Sequence, residues 1–185
     1  DMQILPEDVN LEIFQKAKAL LITGTGLSTS SMREATRQAV KTAKESGCFV
    51  ILDIDYRPVL WGLTEVGDGE TRFVASTTVT TEIQPFLSEL DLIVGTEEEI
   101  MIAGGEKTIE KSLFNIGSRS SATVVLKRGA EGCMVYAADS TSPVSARSFK
   151  IEVLSLYVRP NIPKFTLFNL FLEITFLIIL ISLLV

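Results

Sequence analysis

Between residues 18 and 150, short unbroken apolar runs alternate with stretches whose apolar positions recur at helical spacing. Ala19-Leu20-Leu21-Ile22 reads as a strand that stops at Thr23-Gly24-Thr25-Gly26. Ser31 to Ser46 follows, with Met32, Ala35, Ala39, Val40 and Ala43 on one helical face. Ser30 or Ser31 is the expected N-cap, Glu34 completes a capping-box spacing with Ser31, and Gly47 supplies the stop. Cys48 to Leu52 is a continuous strand running into Asp53-Ile54-Asp55-Tyr56-Arg57-Pro58, and a polar, helix-breaking stretch covers Gly62 to Arg72. Thr81 to Leu90 is predicted helical and Leu92-Ile93-Val94 a buried strand ending at Gly95. Glu97 to Ala103 predicts a short helix closed by Gly104-Gly105, and Lys107 to Gly117 another. Thr123 to Leu126 and Met134 to Ala137 read as strands flanking a tight connection, Lys127 to Gly132. Strands without alternation, separated by helices, predict an α/β fold whose mostly parallel central sheet is covered on both faces.

Composition sharpens this picture at one place. The chain has 185 residues, 46% of them hydrophobic, and a mean hydropathy of +0.33. Much of that excess sits in Phe165 to Val185, where 16 of 21 residues are apolar and none is basic. The remainder has the balance of an ordinary water-facing domain, long enough to bury a core. Lys plus Arg total 17 against 23 Asp plus Glu, a net charge of −6, which argues against a partner bound through phosphate neutralisation such as nucleic acid. The absence of His removes imidazole acid–base chemistry and imidazole metal ligands. Cys48 and Cys133 form no C-x-x-C pair, which fits a reducing compartment better than a zinc site or a disulfide framework. The sequence opens at Asp1 without a basic n-region or an apolar h-region, and is expected to start inside a longer reading frame.

Three polar clusters fall at predicted carboxyl ends of strands, where chemistry collects in an open α/β sheet. Asp53, Asp55 and Arg57 alternate through one strand end. Period-two spacing turns them to one side, where two carboxylates and a guanidinium could grip hydroxyls together with a phosphate or carboxylate; a strand-end salt bridge capped by Pro58 explains them equally well. Glu97, Glu98 and Glu99 after Gly95-Thr96 suit a solvated helix N-terminus, or one of them holds Mg²⁺ through water beside phosphates. Gly129 and Gly132 after Lys127 let backbone approach a ligand, or simply build a hairpin. Thr23-Gly24-Thr25-Gly26 lacks the third glycine of G-x-G-x-x-G, and no G-x-x-x-x-G-K-[ST] occurs, so dinucleotide-binding and P-loop assignments are poor.

The order of these clusters is more specific than any one of them. Asp-x-Asp-x-Arg-Pro-x-Leu-Trp (residues 53–61), Gly-Thr-Glu-Glu-Glu (95–99) and Val-Leu-Lys-Arg-Gly-Ala-Glu-Gly-Cys (125–133) together resemble the ribokinase-like (PfkB) carbohydrate kinases, in particular their sugar-acid kinase branch. Leu21 to Ser28, with Arg33-Glu34-Ala35, resembles the preceding strand and helix of those kinases, and the likeness extends over about residues 10 to 153. It implies a three-layer ribokinase-like fold, incomplete at both ends, with ATP and Mg²⁺ as cofactors and a small sugar acid as substrate. Gly95 would stand at the Asn position and Glu98 at the Glu position of the family's Asn-x-x-Glu motif, so Glu98 would help organise Mg²⁺ and phosphates. Asp53, Asp55 and Arg57 would belong to the substrate and phosphate region, and Lys127, Gly129 and Gly132 would approach the nucleotide. The implied location is cytoplasmic, and a homo-oligomer is compatible with it.

The same resemblance implies a Gly-Ala-Gly-Asp segment, carrying the catalytic base and an anion hole, shortly after a strand at Phe149 to Leu154. The last glycine here is Gly132 and the last aspartate Asp139. The expected organisation is therefore a partial kinase domain over residues 1–154 and an unrelated apolar tail over 155–185, with the family's sugar-binding portion and lid expected ahead of residue 1. Such a chain is expected to be inactive as it stands. The alternatives are a tail-anchored, nucleotide-binding pseudo-kinase and a non-functional fragment. As a helix the tail would span about 31 Å at ~1.5 Å per residue, enough for a bilayer core, with Arg159 and Lys164 before it. Glu173 within it would cost on the order of 2–3 kcal/mol there. Frameshifted or intron-derived translation is the favoured origin of the tail, ahead of a membrane anchor and of a buried core helix.

Overall fold

Each apolar run read as a strand before residue 140 is one in the computed structural model, which describes residues 3–65, 74–138 and 142–148. In chain order the elements are β1 (Ala19–Thr23), α1 (Ser30–Glu45), β2 (Phe49–Asp53), α2 (Thr77–Ile83), β3 (Leu92–Thr96), α3 (Glu97–Gly104), α4 (Ile109–Gly117), β4 (Thr123–Lys127), β5 (Cys133–Tyr136) and β6 (Val144–Ala146). The strands lie side by side in chain order, β1 to β4 parallel and β5 and β6 antiparallel. The expected mostly parallel α/β architecture is therefore the observed one.

Period-two geometry explains the runs. Ile22, Val50, Leu52, Ile93, Val124 and Leu126 point to one face of the sheet and share a single core with Val40 and Ala43 of α1, Val79 and Ile83 of α2, Ile100 and Ala103 of α3 and Ile116 of α4. The opposite face is apolar as well: Ile51, Leu92, Val94 and Val125 are all buried. A strand buried on both sides has no polar face to show, so it reads as a solid apolar block. Each such aliphatic side chain contributes about 1.5–3 kcal/mol by leaving water. Toward the β1 edge that second face opens, and Leu21 and Phe49 are exposed.

The helix ends differ from expectation in instructive ways. Thr29, not Ser30 or Ser31, caps α1: its hydroxyl accepts the Met32 N–H at 3.4 Å, and Glu34 pairs with Arg37 instead of closing a capping box. At the other end Gly47 takes φ 76°, and the bonds Gly47 N to Lys44 O (3.0 Å) and Cys48 N to Ala43 O (2.8 Å) complete a Schellman turn. That turn uses Cys48, so β2 begins one residue later than expected. The helix expected over Thr81 to Leu90 starts earlier, at Thr77 behind the Ser76 cap, and continues only as a 3-10 turn over Gln84–Glu89. Pro85 is the reason, because it removes an N–H and its ring collides with the preceding turn. Helices α3 and α4 pack closely: a Cβ on Gly104 would stand 2.5 Å from Ser112 Cα.

β6, three exposed residues, is an element that sequence pattern did not indicate. The strand expected at Phe149 to Leu154 and the apolar stretch Phe165 to Val185 lie outside the described residues. Among the described residues, no helix is long and apolar enough to cross a membrane.

Candidate functional site at the strand carboxyl ends

The four parallel strands end together. Their register aligns Thr23 with Asp53 and Asp53 with Val94, and Thr96 with Lys127. Asp53 and Lys127 thus lie on the same face of the sheet, two strands apart, with β3 between them. The Lys127 ammonium reaches back across β3 to Asp53 Oδ1 at 3.3 Å, and each side chain is only 18% exposed. A lysine so far withdrawn from water needs negative charge nearby, and Glu99 supplies more, its Oε2 lying 3.9 Å from Nζ.

Glu99 is the residue that sequence reasoning did not single out from Glu97 and Glu98. It sits at the third position of α3, where a Thr-x-x-Glu capping box folds its carboxylate back over the helix start. Oε2 accepts the Thr96 N–H at 2.7 Å, and the Thr96 hydroxyl accepts the Glu99 N–H at 3.4 Å. Oε1 accepts the Tyr56 N–H at 3.1 Å, on the turn beyond β2. Gly95 makes room for this: a Cβ there would stand 3.2 Å from Glu99 Cβ and 2.9 Å from Ile54 Cδ1. The side chain is 13% exposed. Its neighbours face elsewhere, Glu97 pairing with Arg128 at 3.3 Å and Glu98 standing exposed in the first helical turn. The Thr96-x-x-Glu99 spacing was the available signal.

The alternation expected through Asp53, Asp55 and Arg57 stops at the strand end. Ile54 N still donates to Val94 O at 2.9 Å, but Asp55 has φ 29° and turns the chain. Asp55 and Arg57 then meet each other, Nε donating to Oδ1 at 3.2 Å, with Arg57 52% exposed. This bond leaves both terminal guanidinium nitrogens without a partner among the described residues, open to an anion. Pro58 begins a 3-10 turn ending at Trp61, whose indole Nε1 is buried without a hydrogen-bond partner among the described residues. Tyr56 is buried between these groups, and its hydroxyl donates to Val74 O at 2.8 Å; burial raises its pKa above the ordinary value of 10.0.

The segment after Lys127 is an antiparallel hairpin whose two glycines differ. Gly129, at φ 55°, has open space where a Cβ would go, whereas Gly132, at φ 92°, lies against Ala146 O of β6. Gly132 is therefore required by the sheet edge, and Gly129 is the glycine with room for a ligand. On the β1 side, Thr23 and Thr25 share a hydroxyl hydrogen bond of 2.6 Å, and Gly24 lies against Ile54 O. The structure thus joins Asp53, Lys127 and Glu99 directly, links Asp55 and Arg57 to them through the Tyr56 turn, and leaves Glu98 and Gly129 on the exposed rim.

No group of three or more Asp, Glu or Cys side chains forms a metal cage among the described residues. Mg²⁺ is ordinarily held by one or two carboxylates, waters and substrate phosphates, and an exposed carboxylate such as Glu98 fits that outer role.

The sequence pattern of pfkB family carbohydrate kinases matches residues 1–156. The chain belongs to this family. Among curated pfkB relatives, the 5-dehydro-2-deoxygluconokinase of Bacillus licheniformis is 32% identical over 161 residues, 85% of this chain and 45% of that protein. The chain thus spans about half the length of the curated relatives it matches. A fructokinase from Vibrio cholerae, solved with fructose, ADP and a calcium ion, superposes with a TM-score of 0.64 at 24% identity, covering 81% of this chain and 44% of that one. A ribokinase II from E. coli in complex with ATP and Mg²⁺ gives 0.64 at 19% identity, covering 80% and 43%. The expected ribokinase-like fold is therefore found. The Gly-Ala-Gly-Asp segment that the pfkB likeness implies is not among these 185 residues, which hold no glycine after Gly132.

Proposed function

We propose that this chain is the strand-end half of a sugar-acid kinase, an enzyme moving the γ-phosphoryl group of ATP to a primary hydroxyl of a keto-deoxy sugar acid such as 5-dehydro-2-deoxygluconate. The observation that carries this reading is the Asp55–Arg57 pair, which turns a guanidinium fork outward within one turn of the Asp53–Lys127 bridge. A sugar acid offers the complementary groups: hydroxyls for Asp53 and Asp55, and a carboxylate for Arg57. The name of the curated relatives supports the same substrate class. Lys127 and the open Gly129 backbone would approach the nucleotide, with Gly132 holding the hairpin in place. Glu98 would hold Mg²⁺ through water.

Phosphoryl transfer of this kind rests on positioning and on charge neutralisation. Bound Mg²⁺ supplies positive charge at the phosphate oxygens. The protein's own part is to orient the acceptor: Asp53 and Asp55 fix hydroxyl directions, and Arg57 fixes the acid end, so the reacting hydroxyl is aimed instead of sampled. As the hydroxyl oxygen bonds to the γ-phosphorus, the bond to the ADP oxygen breaks and the hydroxyl proton must pass to a base. These 185 residues contain no Gly-Ala-Gly-Asp segment to supply that base, so the chain alone binds without turning over.

Isothermal titration of the 185-residue chain tests this, with Mg·ATP, NAD, 5-dehydro-2-deoxygluconate and fructose titrated separately and ADP release assayed in parallel. Expected are Mg·ATP binding, at least about tenfold preference for the sugar acid over fructose, loss of that preference in Arg57→Ala, and no ADP release. Equal affinity for fructose overturns the sugar-acid assignment. Binding of NAD in place of ATP overturns the kinase reading itself.

A further inference from the structure

Helix α1 carries a second stripe that the sheet does not use. Ala35, Ala39, Val40 and Ala43 are buried, and beside them Arg37, Lys41 and Lys44 line up along the flank that faces the 3-10 turn over Gln84–Glu89. Pro85 stops α2 there, so no further helical turn fills the space, and a cleft of about 390 Å³ remains between α1 and that turn. Such a volume suits a small molecule. Its apolar surface comes from Val40, Pro85 and Phe86, and Val40 and Phe86 are continuous with the core. The cleft is not part of the site at the strand carboxyl ends. α1 runs from the carboxyl end of β1 back to the amino end of β2, and the three cations occupy it from its middle to its last turn.

These cations are not equally satisfied. Lys44 Nζ donates to both carboxylate oxygens of Asp91, at 3.0 and 3.2 Å, and Asp91 Oδ2 also accepts the Val50 N–H at 2.7 Å, so this ammonium is a fixed wall. Its place near the helix C-terminus is explained by the helix dipole. Arg37, in mid-helix, has no such reason. Its Nε reaches only the exposed Glu34, at 3.5 Å, and its guanidinium lies over the Phe86 ring, 5.3 Å from the centroid. Both terminal nitrogens are without a partner among the described residues. Lys41 Nζ, 77% exposed, has Glu45 at 4.0 Å. Glu45 and Glu89 are the acidic side chains lining the cleft, and Glu89 accepts the Ser88 hydroxyl at 3.3 Å. A guanidinium laid on an aromatic ring keeps its fork directed, and the weak contact with Glu34 leaves most of its charge uncompensated. On a chain of net charge −6, a row of three cations around an apolar floor is out of pattern.

We propose that this cleft binds a small phosphate ester with a flat apolar body. Its dianionic head meets Arg37 and Lys41, and its body rests on Val40, Pro85 and Phe86. A singly charged head satisfies only one of the two cations. The proposal does not depend on the sugar-acid kinase reading, whose ligands meet the other end of the sheet.

Calorimetric titration of the 185-residue chain tests it with 1-naphthyl phosphate as the probe, alongside inorganic phosphate, 1-naphthoate and 1-naphthylmethylammonium. Expected is binding of the ester at least about tenfold tighter than inorganic phosphate, which lacks the body, and about fivefold tighter than 1-naphthoate, which lacks the second charge. The ammonium compound should give no binding. Arg37→Ala and Lys41→Ala should each weaken the ester about five- to tenfold, and Arg57→Ala should leave it unchanged. Lys41 is exposed, so its variant decides the matter even if Arg37→Ala, having lost its contact with Phe86, does not fold. No binding of the ester overturns the proposal. So does equal binding of the ammonium compound, which marks apolar surface alone, or of inorganic phosphate, which removes the apolar floor. Equal binding of 1-naphthoate overturns the phosphate assignment. Loss of binding in Arg57→Ala with Lys41→Ala unaffected moves the ester to the strand carboxyl ends and overturns the cleft.

Discussion

Lys127 Nζ lies 3.3 Å from Asp53 Oδ1 although a whole strand, β3, separates the strands that carry them. The bridge staples three strand ends at once, and both side chains are mostly shielded from water. Removing the cation takes positive charge away from Asp53 and Glu99 together. Lys127→Met is therefore expected to cost about 3 kcal/mol, the lower end for breaking a buried pair. Urea unfolding measures this, and combining it with Asp53→Asn should recover part of the loss. A cost below about 1 kcal/mol would mark the pair as solvent-screened.

The two glycines of the β4–β5 hairpin should respond differently to the same substitution. Gly129→Ala places a Cβ in open space and costs only the left-handed backbone penalty, about 1–2 kcal/mol. Gly132→Ala drives a Cβ into Ala146 O and must displace β6, so its cost should exceed that of Gly129→Ala clearly. Amide hydrogen exchange checks the mechanism: protection along β5 and β6 should fall in Gly132→Ala and persist in Gly129→Ala.

Alkaline pH should weaken the fold through two buried acids. Burial raises the Tyr56 pKa above 10.0 and the Cys133 pKa above 9.0, the latter partly opposed by a backbone hydrogen bond at Ala146. A raised folded-state pKa favours the neutral acid, so this stabilisation is complete below the unfolded value and is lost as pH rises through the folded one. Unfolding free energy should start to fall above pH 9.0 and fall more steeply above 10.0. Cys133→Ala should remove the first part and Tyr56→Phe the second. Stability that increases over this range contradicts the assignment.

Capping of α1 offers a comparison within three adjacent hydroxyl residues. Thr29→Ala should cost about 1 kcal/mol, while Ser30→Ala and Ser31→Ala should be near neutral by thermal unfolding. A larger loss at Ser31 would move the helix start.

That cap also shows where sequence pattern runs out. Thr29, Ser30 and Ser31 carry the same capping chemistry, and only the backbone path into the helix decides which one uses it. The strands were legible for the opposite reason. With Ile51 and Leu52 both buried, on opposite faces, no register error can disguise the apolar run. The parallel sheet and the family followed from such runs and from the order of the polar clusters behind them. Glu99 was hidden in a run of three glutamates, each rotated by about 100° from the last around α3. Composition cannot choose which of them turns inward; Gly95 and the Thr96 cap do. Asp55 and Arg57 were correctly brought together, but by a turn and not by strand alternation, because a positive φ is not written in residue type. Pro85 was legible as a residue, yet its truncation of α2 appeared only once the helix was seen to begin at Thr77.

The strict order of the sheet bears on how the protein is made. Because each described strand after β1 lies beside the one that precedes it in sequence, a chain leaving the ribosome can add each of them to an edge already formed, with only one crossover or hairpin to close each time. Loop-closure entropy then enters in small, separate steps instead of one large one. The Asp53–Lys127 bridge is the exception, since it spans 74 residues and two strand additions. It can form only after β3 and β4 have both docked, and so serves as a late lock on a sheet assembled in the direction of translation.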